Sequence, residues 1–106
     1  MNVLFLCSMN KWRSPTAEKI YYRHPSLQVR SAGTSKKAKR VLSINDLHWA
    51  ELIIVMENKH KQKILTTFQQ VTFPEIIVLD IPDNYQYMDP ELIQILRDSI
   101  DPIINH

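Results

Sequence analysis

Four short apolar runs, Asn2 to Cys7, Leu27 to Ser31, Leu52 to Met56 and Ile76 to Leu79, dominate what this chain can become. Each is too short for a helix and long enough for a buried strand. Between and after them lie stretches of helical composition, so strand and helix alternate along the chain. Parallel strands need a crossover between them, and helical crossovers cover a sheet on both faces. The pattern therefore predicts an α/β fold, a three-layer sandwich with a central four-stranded parallel sheet and helices on both faces, in one of few allowed topologies. At 106 residues the chain is expected to form one domain, residues 1–106, with a single site.

Local signals place the helices. Pro15 suits a first turn, and the helix it opens should run from Pro15 to Arg23, ending before His24-Pro25 because a residue preceding proline avoids helical angles. Ser43, three residues before Asp46, approaches a capping box for a short helix through Leu47 and Trp49, which places Trp49 in the core. Asn58 to Phe68 has helical composition. Asp89 and Pro90 read as N-cap and first-turn proline of a closing helix from Glu91 to about Ile104, with Leu92, Ile95, Leu96 and Ile100 on its core stripe. The chain has one glycine, Gly33, in Ser31-Ala32-Gly33-Thr34, where a turn or a close backbone approach would demand it. No repeat, low-complexity tract or linker interrupts this order.

Composition excludes more than it selects. Apolar residues make up 44% and charged residues 23%, ordinary values for a globular chain. Thirteen Lys and Arg against eleven Asp and Glu leave a formal charge of +2, enough to help an anionic substrate approach but no footprint of a nucleic-acid binder. The opening apolar run lacks a basic leader and a small-residue cleavage site, and Asn10, Lys11 and Arg13 follow at once, so it does not read as a signal peptide. No run approaches the roughly 20 apolar residues of a membrane helix. A single cysteine excludes an intrachain disulfide, and a cytoplasmic, reducing compartment is the expectation.

That cysteine carries the chemistry. Cys7-Ser8-Met9-Asn10-Lys11-Trp12-Arg13-Ser14 lies between a predicted strand and a predicted helix. In a parallel sheet this is the carboxyl end of a strand near a switch point, where ligands bind. Unpaired N–H groups at the start of a helix favour a thiolate and hold an anion, so nucleophile and phosphate want the same surroundings. Arg13 adds a planar fork of donors matched to two phosphate oxygens, which a lysine would replace poorly. Cys7 alone would pass for a small buried hydrophobe. Its neighbours point instead to a nucleophile in a phosphate-binding loop of Ser8, Met9, Asn10, Lys11, Trp12 and Ser14, in a phosphatase that needs no metal.

The sequence resembles the low-molecular-weight protein tyrosine phosphatases. The resemblance covers Val3 to Cys7, Asn10, Arg13-Ser14-Pro15, Ala17-Glu18, Ser31 to Thr34, the Leu52 to Met56 run and Asp83-Asn84-Tyr85, in order along most of the chain. It implies that Cys7 forms a cysteinyl-phosphate, that Arg13 clamps the phosphoryl group, that Ser14 hydrogen-bonds the thiolate and that Asn10 shapes the loop. It also implies an aspartate that protonates the leaving oxygen and then activates water, with no metal or organic cofactor. The chain departs from the family in its shortened middle connections. Met9 stands for the usual loop glycine, Trp12 for a frequent second cysteine and Asn84 for the proline after the acid. Without a second cysteine, peroxide should drive Cys7 further up the oxidation ladder.

Asp80, Asp83 and Asp89 are all candidates for the acid. Asp83 is preferred, because Asp89 has a competing role as N-cap and Tyr85 and Tyr87 would then follow the acid as substrate-flanking aromatics. Trp12 reads equally as a wall for an aromatic leaving group or as an anchor of the loop. His24, His48, His60 and His106 are scattered without metal-site spacing. The runs Lys36, Lys37, Lys39, Arg40 and Lys59, His60, Lys61, Lys63 read as solvated faces before a nucleic-acid contact or a second phosphate site.

The reading is a phosphomonoesterase acting on phosphotyrosine in proteins, with a phosphorylated protein or small phosphomonoester as partner and neither membrane nor nucleic acid expected. Alternatives are a phosphate- or phosphopeptide-binding module of little activity and a phosphatase for a nucleotide or RNA-terminal phosphate. An arsenate reductase on the same loop would need further cysteines.

Overall fold

The computed structural model describes residues 1–105; His106 lies outside them. Strand β1 (Asn2–Cys7) leads through a short loop into α1 (Arg13–Tyr21), followed by β2 (Gln28–Gly33), α2 (Ile44–Trp49), β3 (Leu52–Val55), α3 (Asn58–Thr67), β4 (Ile76–Val78) and α4 (Pro90–Ile104). The four strands form one parallel sheet in the order β2-β1-β3-β4. Because β1 has β2 on one side and β3 on the other, the order reverses beside it, and the residues after Cys7 emerge at that switch point.

Alternation within β1 divides the core. Val3, Phe5 and Cys7 face one side with Ala17 and Tyr21 of α1 and Leu92, Leu96 and Ile100 of α4. Leu4 and Leu6 face the other with Leu47 of α2 and Ile64 of α3. Helices thus cover both faces, as a parallel sheet requires. On the first face Tyr21 stacks on Phe5 at 6.1 Å between ring centroids, and its hydroxyl donates to Asp101 at 2.6 Å, tying α1 to α4. Burial and then that carboxylate push the Tyr21 phenol well above its ordinary range, so it stays a donor.

The caps follow the local chemistry. Asp46 N–H donates to Ser43 Oγ and Ser43 N–H to Asp46 Oδ2, a reciprocal capping box. Asp89 accepts from Glu91 N–H at 2.9 Å, with Pro90 opening α4. Helix α1 starts two residues before Pro15 and ends at Tyr21, so the chain leaves the helix ahead of His24-Pro25. Strand β2 continues to Gly33, and Trp49 is half-buried against the second core cluster with the Arg30 guanidinium 4.2 Å from its ring centroid.

Gly33 is where three segments meet. Its φ is not positive; space is what constrains it. A Cβ there would lie 2.5 Å from Ser8 O and 2.4 Å from Ala38 Cβ. This approach lets Thr34, Ser35 and Lys39 N–H groups donate to the carbonyls of Cys7, Ser8 and Met9 at 2.9, 3.0 and 2.9 Å. The segment after β2 therefore holds the outer side of the loop that follows β1. It closes on itself through Gly33 N–H to Arg40 O, while the Arg40 guanidinium bonds Ser31 O and Asp46. Lys36, Lys37 and Lys39 remain exposed, as expected of a solvated run.

Candidate active site

The loop from Ser8 to Trp12 carries its hydrogen bonds on its carbonyls. Among the described residues, none of its main-chain N–H groups donates to a protein acceptor, and the first turn of α1 adds its own free donors. Asn10 makes the turn possible. It adopts φ 54, a left-handed conformation that asparagine tolerates better than most residues, and its buried Nδ2 donates to Ser14 Oγ and Ser31 Oγ, each at 3.0 Å. Met9 has no positive φ, so a side chain at this position strains nothing; it sits partly exposed at the mouth.

Cys7 Sγ lies 2.9 Å from Ser14 Oγ. Ser14 Oγ accepts from Asn10, and its own proton has two acceptors within reach, the sulfur at 2.9 Å and Ala32 O at 3.4 Å. A cavity of about 170 Å³ opens over Cys7, lined by Met9, Lys11, Trp12, Arg13 and Asp83. Trp12, 38% exposed, forms part of its wall and also lines a neighbouring groove with Tyr87.

Arg13 is buried, and its charge is answered from the ends of β3 and β4. Nη1 donates to the Glu57 carboxylate and, at 2.8 Å, to Ile81 O. Asp80 sets that carbonyl: its φ of 59 turns the chain so that Ile81 N–H reaches Met56 O at 2.8 Å. Burial alone would raise the Glu57 carboxyl pKa, but the hydrogen bond and charge of Arg13 outweigh it and hold Glu57 below the usual carboxylate range. The Nε–H of Arg13 has no hydrogen-bond acceptor among the described residues although it is buried, and Asp83 Oδ1 stands 3.5 Å away. This buried guanidinium donor without a hydrogen-bond acceptor borders the cavity that contains Cys7.

The three aspartates separate. Asp83, 51% exposed in its side chain, borders the Cys7 cavity; Asp80 faces a different hollow with Glu57 and Pro82; Asp89 caps α4. Tyr85 is half-buried against the first core cluster, and Tyr87, half exposed, lies in the groove beyond Trp12, so neither borders the Cys7 cavity itself.

His60 departs from the solvated face expected for its run. It is buried, its Nδ1 accepts from Glu57 N–H at 3.0 Å and its Nε2 lies 2.8 Å from Ser8 Oγ. Burial first, then the Arg13 charge, lowers its pKa to about 4, so the ring is neutral near pH 7. Sequence reasoning also missed Glu57. The available signal was the Glu57 to His60 spacing directly after β3, which is the spacing of a capping box. Among the described residues no three His, Cys, Asp or Glu side chains cluster as metal ligands, and no helix is long and apolar enough to cross a membrane.

Neither a protein-family model nor a curated protein matches the sequence. Solved structures match closely in shape. A low-molecular-weight protein tyrosine phosphatase from Streptococcus pyogenes, SP-PTP, superposes with a TM-score of 0.81 over 98% of this chain and 91% of its own, at 19% identity. YwlE arginine phosphatase from Geobacillus stearothermophilus gives 0.70 over 98% and 88%, at 22% identity. Wzb of Vibrio vulnificus, solved with benzylphosphonate, gives 0.72 over 96% and 95%, at 19% identity. At these identities the likeness establishes the fold: this chain has the architecture of the low-molecular-weight protein tyrosine phosphatases.

Proposed function

We propose that this protein is a cysteine-dependent phosphomonoesterase that acts on aryl phosphates, phosphotyrosine in proteins above all. The observation that carries the reading is the pairing of Cys7 Sγ with the acceptorless, buried Nε–H of Arg13 around one small cavity. This arrangement supports Cys7 as nucleophile and Arg13 as phosphate clamp.

In the first step the Cys7 thiolate attacks phosphorus in line with the leaving oxygen. The S–P bond forms, the P–O bond breaks, and Asp83 gives its proton to the departing phenol. Arg13, anchored through Nη1 to Glu57 and Ile81 O, has Nε and Nη2 free for two equatorial oxygens, and the free loop N–H groups serve the rest. In the second step Asp83, now a carboxylate, takes a proton from water as its oxygen attacks phosphorus. Inorganic phosphate leaves, and the Ser14 hydroxyl at 2.9 Å receives the returning thiolate.

Substrate class is argued from the walls. Trp12 offers a flat face to an aromatic leaving group, and the Lys11 ammonium beside it disfavours a cationic one such as a phosphorylated guanidinium. The test is hydrolysis of an aryl phosphate by wild type and Cys7→Ser with chelator present, across pH 5 to 8. Turnover by wild type alone, with a burst of phenol, is the expected result. Phosphate binding without turnover would reduce the protein to a phosphate-binding module.

A further inference from the structure

Behind the phosphate loop, on the α3 side, lies a second polar hollow of about 300 Å³. Three lysines from two segments border it, Lys36 from the segment after β2 and Lys59 and Lys63 one helical turn apart on α3. Like charges at that spacing repel. No carboxylate lines the hollow; the acid within reach of it is Glu57, 3.8 Å from Lys59 and already committed to Arg13.

The uncharged groups there are donors too. His60 Nδ1 accepts from Glu57 N–H, so a neutral ring carries its proton on Nε2 and donates it to Ser8 Oγ. That leaves the Ser8 hydroxyl proton free. Ser35 Oγ likewise accepts, from Lys37 N–H at 3.1 Å, and its proton is also free. A hollow offering three ammonium groups and two hydroxyl donors, with no carboxylate in its lining, selects an anion. It shares Thr34, Lys36 and Lys63 with an adjoining cavity of about 240 Å³ whose other walls include Val41, Leu42, Ile64 and Phe68. Charge is thus concentrated at one end and apolar surface at the other, on the scale of a small-molecule site.

We propose that these two contiguous hollows form a second ligand site, for an organic phosphate whose dianionic head sits among Lys36, Lys59 and Lys63 and whose flat apolar group enters the cavity beside Phe68. It is separate from the Cys7 cavity, with which it shares none of its lining residues, and it stands whether or not the protein hydrolyses phosphate esters.

The test is an amide NMR titration of the Cys7→Ser protein, in which turnover is silenced, with adenosine 5′-monophosphate and separately with inorganic phosphate. The nucleotide should move Ser35, Lys63 and Phe68 with a midpoint distinct from that of the phosphate-loop amides, and should bind there more tightly than phosphate does. Lys36→Ala combined with Lys63→Ala should weaken that site roughly tenfold and leave the phosphate-loop midpoint unchanged. Val41→Ser, at an exposed wall position, should weaken the nucleotide but not inorganic phosphate. Shifts confined to the phosphate loop, a midpoint indifferent to the two lysines, or nucleotide binding no tighter than phosphate would each overturn the proposal.

Discussion

The two flanks of the loop between β1 and α1 both carry cations, by opposite means. On the Cys7 flank one guanidinium is buried, one of its nitrogens is pinned by a carboxylate and a carbonyl, and Nε is left without a hydrogen-bond acceptor 3.5 Å from Asp83. On the α3 flank three ammonium groups stand exposed, and the fixed element is a buried neutral histidine that orients a serine hydroxyl. The difference teaches what each is suited to. Burying Arg13 requires the counter-charge of Glu57, and in the proposed reaction its fork would need little reorganisation as charge develops on phosphorus. Exposed lysines need no counter-charge, hold their ligand loosely and tolerate substitution.

The largest effect that would sharpen this contrast concerns Asp83, the proposed acid on the Cys7 flank. Asp83→Ala should lower kcat on a poor leaving group such as phenyl phosphate by about 10²- to 10³-fold, with a smaller loss on nitrophenyl phosphate, whose leaving oxygen needs no proton. Asp89→Ala should keep kcat and cost about 1 kcal/mol of stability through the lost cap of α4. Steady-state kinetics and urea melts of the pair would reverse the assignment if the losses were exchanged.

On the α3 flank the contrast predicts a pH dependence of stability. His60 in the folded protein resists protonation down to about pH 4, while an unfolded histidine takes its proton near pH 6.5. The unfolded chain therefore binds more protons between these values. The stability that the neutral ring carries is complete above pH 6.5 and declines as pH falls towards 4, by on the order of 3 kcal/mol. Glu57, lowered by Arg13, adds a further loss only below the usual carboxylate range. Urea melts from pH 7.5 to 4.5 should show the decline in wild type and a much flatter profile in His60→Gln.

Between the flanks, Gly33→Ala would force its Cβ against the Ser8 carbonyl and the Asn10 amide. A loss of roughly 1–3 kcal/mol is expected, with reduced turnover because the loop itself must move. Thermal melts and aryl phosphate kinetics should move together. The smallest effect lies at Met88, whose φ of 61 is strained for a bulky residue and is held by its N–H bond to Thr16 Oγ1 at 2.9 Å. Met88→Gly should raise stability by about 0.5–1 kcal/mol, small enough that an unchanged urea midpoint would place the strain elsewhere.

Much of the architecture is legible in the sequence. The four apolar runs became the four parallel strands, and Ser43, Asp46, Asp89 and Pro90 cap the helices they were expected to cap. These features depend on periodicity and on side chains bonding to backbone within a few residues, so nearby letters suffice. The loop between β1 and α1 was legible for the same reason. Less legible were the ends: α1 begins at Arg13, ahead of Pro15, and β2 runs on to Gly33 because Leu6 and Cys7 of β1 pair with Ala32 and Gly33.

What the sequence determined by itself is the strand-loop-helix order and the Cys7 to Arg13 spacing, which bind local conformation to a loop at the switch point. What only the tertiary structure decided is who answers whom across it. Glu57 meets Arg13 from 44 residues away and His60 meets Ser8 from 52, and neither pairing leaves a periodic trace. His60 could be read as one more residue on a basic helix face until β1 and β3 were set side by side. Burial and protonation state are properties of the surroundings, and those surroundings exist only once the sheet has brought distant segments together.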